Sequence, residues 1–222
     1  MDHHGMWRMV RDEREDILAF LRALTPGQWD ASSLCEGWRV RDVAVHLLVD
    51  EPFREIGWPR GLAKLAGMGF SVHRANAWWV QQNASRDTGD ILAVWRRSLA
   101  PGPVSRILGP GTGLRAAVIH HQDMRRPLGM PRTIPAERLR GVLEAIITPK
   151  GSVNLGSRER ASGLRLRATD ADWVHGDGPE VNGPGEALIM ALAGQRRAAG
   201  RPGGRRHAHS RCPDPAQIPS PS

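Results

Sequence analysis

The sequence predicts a mainly helical protein with a small α/β unit near its C-terminus and a disordered tail. Apolar residues recur at helical spacing over most of residues 8–146, whereas residues 163–168 alternate apolar and charged side chains as a half-buried strand does. At 222 residues the chain can hold one medium domain with an appendage. We therefore expect a helical domain at residues 1–150, the α/β unit at 151–197 and the tail at 198–222.

The first half of the chain predicts a series of helices. Residues 8–24 carry an amphipathic pattern with Val10, Ile17 and Leu21 on one face. Thr25-Pro26-Gly27-Gln28 then has the form of a capping box with proline at the first helical position. The further helices that we expect here lie at 38–51, with Pro52 as its end, at 62–84 and at 90–99.

The second half predicts fewer and shorter elements. Residues 104–108 show no clear period, and the glycines and prolines of residues 109–113 indicate a turn. Helices are expected at 114–126, from Pro135 onward, and at 184–193. From Ala198 onward Gly, Pro, Arg and Ser dominate, which is typical of disorder.

The formal net charge of +8 raises the question of nucleic-acid binding. Much of the excess lies between Arg196 and Arg211, and no aromatic residues alternate with these arginines as they do on a single-strand binding surface. Solvated charge is therefore the favoured interpretation, and we expect no specific nucleic-acid partner. Non-specific DNA binding through the tail is the alternative.

Nothing in the sequence indicates a membrane protein or an exported one. No segment approaches the roughly 20 apolar residues of a bilayer span, and the first nine residues contain no apolar run. We expect a cytoplasmic location and therefore no structural disulfide between the two cysteines, Cys35 and Cys212. Cys35 is a candidate reactive thiol, although a buried cysteine is more commonly a small core residue.

The chain's strongest chemical motif is the run His120-His121-Gln122-Asp123. On a helix, His120 and Asp123 lie one turn apart on the same face, whereas His121 lies about 100° further round. A second helix must then supply another ligand, and His46 is the remaining histidine within a strongly apolar helical stretch. The sequence predicts a divalent metal site whose candidate ligands are His46, His120, His121 and Asp123.

The ligand types suit several metals, but they do not show whether His46 is a ligand or a core residue. Imidazole is a good ligand for zinc, nickel, iron or copper, and two or three protein ligands leave a position for water or substrate. A histidine on an apolar helix face, however, is more often a core residue than a ligand. For His46 taken alone the core interpretation is favoured, and spacing does not decide between the two.

Several blocks occur in an order that is specific in combination. They lie at residues 13–14, 24–29, 34–43, 46–47, 120–129, 163–178 and 192–194. Together these blocks resemble the mycothiol-dependent maleylpyruvate isomerase family, which is part of the DinB-like metal-binding superfamily. The resemblance covers most of residues 10–195.

The resemblance implies a DinB-like four-helix bundle with a small C-terminal α/β unit. It also implies a zinc-like ion held by His46, by His120 and by a glutamate one turn before His120. This sequence has Ala116 at that position. His121, Asp123 or Asp50 would have to replace the missing carboxylate.

The resemblance further implies a function. Mycothiol, a small thiol of actinobacteria, would be the cofactor of an isomerase or S-transferase that acts on a small electrophilic substrate. Arg125 or Arg126 would bind the cofactor or a substrate carboxylate, although either could equally cap the helix C-terminus. The alternative, suggested by Ala116, is a metal- or thiol-binding module without catalysis.

Overall fold

The computed structural model describes residues 2–152 and 155–195 of the chain. The described part is mainly helical with one small sheet, which confirms the predicted fold class. The segment from Ala198, for which we predicted disorder, lies outside the described residues.

The elements follow one another in the chain order below. In the first half they are α1 (His3–Arg22), α2 (Pro26–Trp29), α3 (Val40–His46), α4 (Glu51–Ile56), α5 (Trp58–Gly67), α6 (Val72–Gln82) and α7 (Thr88–Arg97). In the second half they are α8 (Pro103–Leu108), α9 (Pro110–Arg125), α10 (Ala136–Ile146), α11 (Pro149–Ser152), α12 (Ser157–Ala161), β1 (Arg165–Ala168), β2 (Val174–His175), β3 (Glu180–Gly183) and α13 (Gly185–Leu192).

Local capping explains where the first two helices begin. The Asp2 side chain accepts a hydrogen bond from the backbone N–H of Gly5, so α1 begins five residues before the predicted start. The predicted capping box is confirmed at α2. The Thr25 hydroxyl accepts from the N–H of Gln28, and the Gln28 side chain accepts from the N–H of Thr25.

The predicted long helix at residues 38–51 is wrong. The structure has a short α3 that ends at His46 and a separate α4 that begins at Glu51. Pro52 lies in the first turn of α4, where a proline loses no helical hydrogen bond. Proline therefore begins a helix here rather than ending one.

Two further boundaries differ from the prediction. The predicted helix at 62–84 is divided into α5 and α6, because Gly69 and Phe70 both adopt positive φ angles, of 64° and 56°. The predicted turn at 109–113 is wrong beyond Gly109. Its remaining residues form the first turn of α9, with Pro110 at the helix start.

The core consists of two apolar clusters that share two helices. The first contains Ile17 and Leu21 of α1 together with residues of α3, α6 and α7. The second contains Met9 and Val10 of α1 together with residues of α10, β1 and α13. Helix α9 contributes to both clusters and packs extensively on α1. These two helices therefore form the structural centre in which the candidate site lies.

The small sheet has the order β2-β1-β3. Strand β1 is antiparallel to β2 and parallel to β3, with Leu166 opposite both His175 and Val181. Helix α13 packs against α10 and β1, so the sheet unit shares the second core cluster with the bundle. None of the helices in the described part of the chain has the length and apolar character that crossing a bilayer requires.

Candidate metal centre

Three potential ligand atoms meet where α9 faces the loop before α3. His120 Nδ1 lies 2.9 Å from Asp123 Oδ2, as the one-turn spacing on α9 predicts. Cys35 Sγ lies 3.5 Å from the same carboxylate oxygen and 3.8 Å from His120 Nδ1. All three side chains are buried, and one ligand atom from each lies within 4.8 Å of the others.

Backbone hydrogen bonds hold the loop that carries Cys35 against α9. The N–H of Leu34 donates to the carbonyl oxygen of Asp123 at 2.9 Å, which fixes the loop against α9. Within the loop, the Ser33 hydroxyl donates to the carbonyl of Trp38 at 2.8 Å and accepts from the N–H of Cys35. The position of Cys35 therefore depends on a long-range backbone contact.

The expectation that no disulfide forms is wrong for Cys35. This residue is disulfide-bonded, and the described part of the chain contains no free cysteine. The sequence's other cysteine, Cys212, lies outside the described residues. Because a metal binds the thiolate and not a disulfide sulfur, Cys35 can serve as a ligand when the protein is reduced.

His46, the last residue of α3, lies beside this cluster. Its ring is perpendicular to that of His120, with 4.9 Å between the ring centres, and it also packs against Trp38. Two imidazoles that share one ion through bonds of 2.0–2.1 Å have their centres about 5 Å apart. The structure thus brings together the two histidines that the sequence selected, and their role as ligands stays a prediction.

The donor geometry fits a zinc-like ion. Tetrahedral bonds of about 2.3 Å to sulfur and 2.0–2.1 Å to nitrogen or oxygen place neighbouring donors about 3.3–3.6 Å apart. The two distances from Cys35 Sγ, 3.5 and 3.8 Å, lie close to that range. The 2.9 Å contact between His120 and Asp123 is a hydrogen bond, so an ion would displace a proton and widen it by a few tenths of an ångström.

The Asp123 carboxylate is oriented from both sides. Its Oδ2 atom contacts His120 and Cys35, while Oδ1 accepts a 2.7 Å hydrogen bond from the side chain of Gln195. A carboxylate that is fixed in this way can bind an ion or can orient a ligating imidazole. Either role requires the buried position that Asp123 occupies.

His121 points to a different part of the interior. Its Nδ1 donates to Glu13 Oε1 at 2.8 Å, and its Nε2 accepts from Nε of Arg125 at 2.8 Å. Burial lowers the pKa of His121 to about 4, so the ring is neutral at pH 7 and both nitrogens have protein partners. The structure does not bring His121 to the cluster around His120.

Glu13 lies at the centre of a buried ionic network. Besides the bond from His121, its oxygens accept hydrogen bonds from Arg132 and from Arg138. Burial raises the pKa of Glu13, but the hydrogen bond from His121 and the charge of Arg132 outweigh it and lower the pKa to about 2. The network connects α1, α9 and α10, and none of its residues belongs to the described cluster of Cys35, His120 and Asp123.

The two arginines expected to bind cofactor or substrate both have partners within the chain. Arg126 forms paired hydrogen bonds with Glu186 on α13, at 2.8 and 2.7 Å. Arg125 donates to His121 and to the carbonyl of Met130, and it lies over the ring of Phe20. The structure thus gives both side chains a packing role, and ligand binding by either stays a prediction.

The position of the missing glutamate is part of a cavity. Ala116 lines a space of about 60 Å³ together with His46. Asp50, one of the possible replacements, instead accepts hydrogen bonds from the N–H groups of Gly102, Val104 and Ser105 and from the Ser105 hydroxyl. These four donors occupy its carboxylate at the beginning of α8.

A helical interior that brings a cysteine, imidazoles and a carboxylate to one point has side chains of the types that bind metal ions. Residues 10–102 match the family model described as mycothiol maleylpyruvate isomerase N-terminal domain, so this part of the chain is similar to that domain. The match confirms the resemblance and contains Cys35 and His46, whereas His120 and Asp123 lie beyond it. No curated protein and no solved structure matches the chain.

Proposed function

We propose that this protein binds a divalent metal ion and uses it to activate a small thiol. The observation that supports this most is the meeting of Cys35, His120 and Asp123, with the ring of His46 beside them. In the reduced protein these four side chains offer a thiolate, two imidazoles and a carboxylate. That donor set suits zinc better than magnesium or calcium, which prefer oxygen ligands alone.

The proposed reaction combines the effect of a divalent ion on a bound thiol with the cofactor that the family resemblance implies. A divalent ion lowers the pKa of a coordinated thiol, which yields a thiolate at neutral pH. We propose mycothiol as that thiol and a small electrophile as substrate, with isomerisation or S-transfer as the reaction. In this scheme His46 and His120 hold the ion, Asp123 orients His120, and the apolar walls of the bundle exclude water.

Metal content tests the binding part of the proposal. Reduced wild-type protein is expected to retain about one zinc ion per chain after gel filtration, measured by elemental analysis. His120→Ala is expected to lose most of it, because it removes the central ligand. His175→Ala is the matched control, since that histidine lies on β2 against Trp173, and it should retain the metal. Equal, near-zero content in wild type and His120→Ala would reject the proposal.

The reaction requires a separate assay. Zinc-loaded protein is mixed with mycothiol and a panel of electrophiles that includes maleylpyruvate, and their conversion is followed spectroscopically. Conversion that needs both the thiol and the metal, and that falls at least a hundredfold in His46→Ala, is expected if the ion activates the thiol. Conversion that is unchanged in this variant would contradict the role of His46.

A second function is favoured by Ala116. The family resemblance implies a glutamate ligand there, and the structure has a methyl group facing a cavity instead. A module that binds the metal and the thiol without turnover is therefore the alternative. It predicts saturable mycothiol binding by calorimetry together with no thiol-dependent conversion of any electrophile in the panel.

The proposed location and partners follow from the same chemistry. A reducing cytoplasm would keep Cys35 as a thiol and is the location that we propose. The partners would be the thiol and a small substrate rather than a specific nucleic acid. DNA binding that persists in the presence of 0.2 M salt would contradict this, since non-specific contacts weaken steeply with salt.

A further inference from the structure

Arg14, on α1, is a buried cation without a hydrogen-bonding partner at its Nε atom in the described part of the chain. The residue is 8% exposed, and its guanidinium carbon lies 5.2 Å from the centre of the Trp95 ring. Burial lowers the pKa of Arg14 to about 10, which leaves it charged at pH 7. Burial of a guanidinium whose Nε–H has no acceptor is unfavourable unless something in the site pairs with it.

The neighbouring carboxylates are engaged elsewhere. Asp50 and Glu51 are the acidic groups whose charge acts on Arg14. The four hydrogen bonds to Asp50 come from the beginning of α8, and those to Glu51 come from Arg54, Arg97 and Ser98. Among the described residues, Arg54 and Arg97 thus form hydrogen bonds with Glu51, whereas none joins the guanidinium of Arg14 to an anion.

Arg14 faces an internal space. It lines the cavity of about 60 Å³ whose other walls include His46, Trp95, Thr112 and Ala116. One water molecule needs about 10–15 Å³ of such space, so the cavity is larger than a single water requires but remains small. It can take a group of a few heavy atoms.

We propose that this cavity binds a small carboxylate, whose two oxygens pair with the guanidinium of Arg14. The planar fork of an arginine matches a carboxylate in both spacing and charge. The ring of Trp95 covers one side of the cavity, and the small side chain of Ala116 leaves room beside it. Because His46 lines the cavity and also lies against His120, the bound carboxylate would lie next to the candidate metal centre.

The site is tested on reduced, metal-free protein, so that its result does not depend on the proposed metal chemistry. Sodium acetate is exchanged for sodium chloride at constant ionic strength, and binding is followed by the melting temperature and by saturation-transfer NMR of the acetate methyl group. Wild type is expected to bind acetate saturably. Arg14→Met should bind it at least tenfold more weakly, because the carboxylate loses its charged hydrogen-bonding partner.

Two further variants make the result specific. Arg11→Met removes the same charge from an exposed position on the same helix and should leave acetate binding unchanged. Ala116→Glu places a carboxylate inside the cavity, so it should fold with an equal or higher melting temperature and lose acetate binding. This variant also decides the matter if Arg14→Met does not fold.

Several outcomes would overturn the proposal. One is the absence of any acetate effect in wild type, as expected if the cavity holds water alone. Another is an equal loss in Arg11→Met, and a third is an equal effect of phosphate, which would indicate general anion binding. An unfolded Ala116→Glu would show that the cavity is too small for a carboxylate.

Discussion

Glu13 is the residue on which the buried charges of α1, α9 and α10 converge. Replacement by glutamine keeps the shape but removes the negative charge that pairs with Arg132, Arg138 and the polarised ring of His121. We expect Glu13→Gln to lower the free energy of unfolding by about 3 kcal/mol, because the arginines stay buried without compensation. Urea unfolding followed by tryptophan fluorescence measures the change.

The matched control for this prediction lies two residues away on the same helix. Glu15 pairs with Arg11 on the surface, where more than half of each side chain is exposed. Glu15→Gln should change the free energy of unfolding by less than about 0.5 kcal/mol. Similar small effects of both substitutions would mean that water reaches Glu13 and that the network is not a buried one.

For individual residues, the sequence predicted those contacts that helical spacing determines. The pairing of His120 with Asp123 follows from their one-turn separation, whereas the contact of His121 with Glu13 depends on how α9 is rotated against α1. Cys35 was interpreted mainly as a core residue. Its place in the cluster requires the backbone contact from Leu34 to Asp123, which joins residues far apart in the chain and leaves no periodic trace.

Asp50 stabilises the beginning of α8 from outside that helix. It accepts hydrogen bonds from three backbone N–H groups and one hydroxyl, and the helix N-terminus adds a favourable dipole. Asp50→Ala is expected to cost about 3 kcal/mol, since several charged hydrogen bonds are lost together. Thermal and urea unfolding of the variant measure this.

The comparison variant for Asp50 removes an ordinary cap. Asp87 caps α7 through one hydrogen bond to the N–H of Gly89 at 2.7 Å. Asp87→Ala should cost about 1 kcal/mol, as N-cap substitutions usually do. A loss at Asp50 no larger than this would show that its extra bonds contribute little.

Glu51, at the start of α4, makes the stability of the fold depend on pH. Burial raises its pKa, but the hydrogen bonds from Ser98 and Arg97 outweigh burial, so the pKa in the folded protein lies below the ordinary value of 4.5. A carboxyl group whose pKa is lowered by folding contributes stability that is fully present above about pH 4.5. That contribution is lost as the pH falls through the folded pKa.

The free energy of unfolding, measured between pH 6 and pH 3, tests whether folding lowers the pKa of Glu51. Wild type is expected to lose stability below pH 4.5 more steeply than Glu51→Gln, which cannot titrate at this position. The two curves should therefore converge as the pH falls. Parallel curves over the whole range would contradict the lowered pKa.

Helix boundaries show which local signals the sequence carries clearly. The capping box at Thr25 was predicted because both of its partners lie within four residues. Pro52 was predicted to end a helix and Pro110 to lie in a turn, yet both lie in the first turn of a helix, because proline is compatible with all three positions. The break after α5 depends on the positive φ angles of Gly69 and Phe70, which an apolar period does not reveal.

The molecule as a whole is tied together by α1 and α9, which contribute side chains to both core clusters. The sequence pattern divided the chain near residue 150, yet α13 and β1 pack into the same cluster as α10. Periodicity shows which face of an element is apolar and not which partner covers it. A shared core implies that the helical part and the sheet unit unfold together.

A substitution that creates a cavity beside α13 tests whether the two parts unfold together. Ile189 is fully buried there, and Ile189→Ala is expected to cost about 2–5 kcal/mol. If unfolding is cooperative, the loss lowers one melting transition, seen alike by calorimetry and by the fluorescence of tryptophans such as Trp95 in the other cluster. Val181→Ala, at an exposed position on β3, should shift it little. Two calorimetric transitions, with the one that Trp95 reports left unmoved by Ile189→Ala, would mean that the sheet unit folds independently of the helical part.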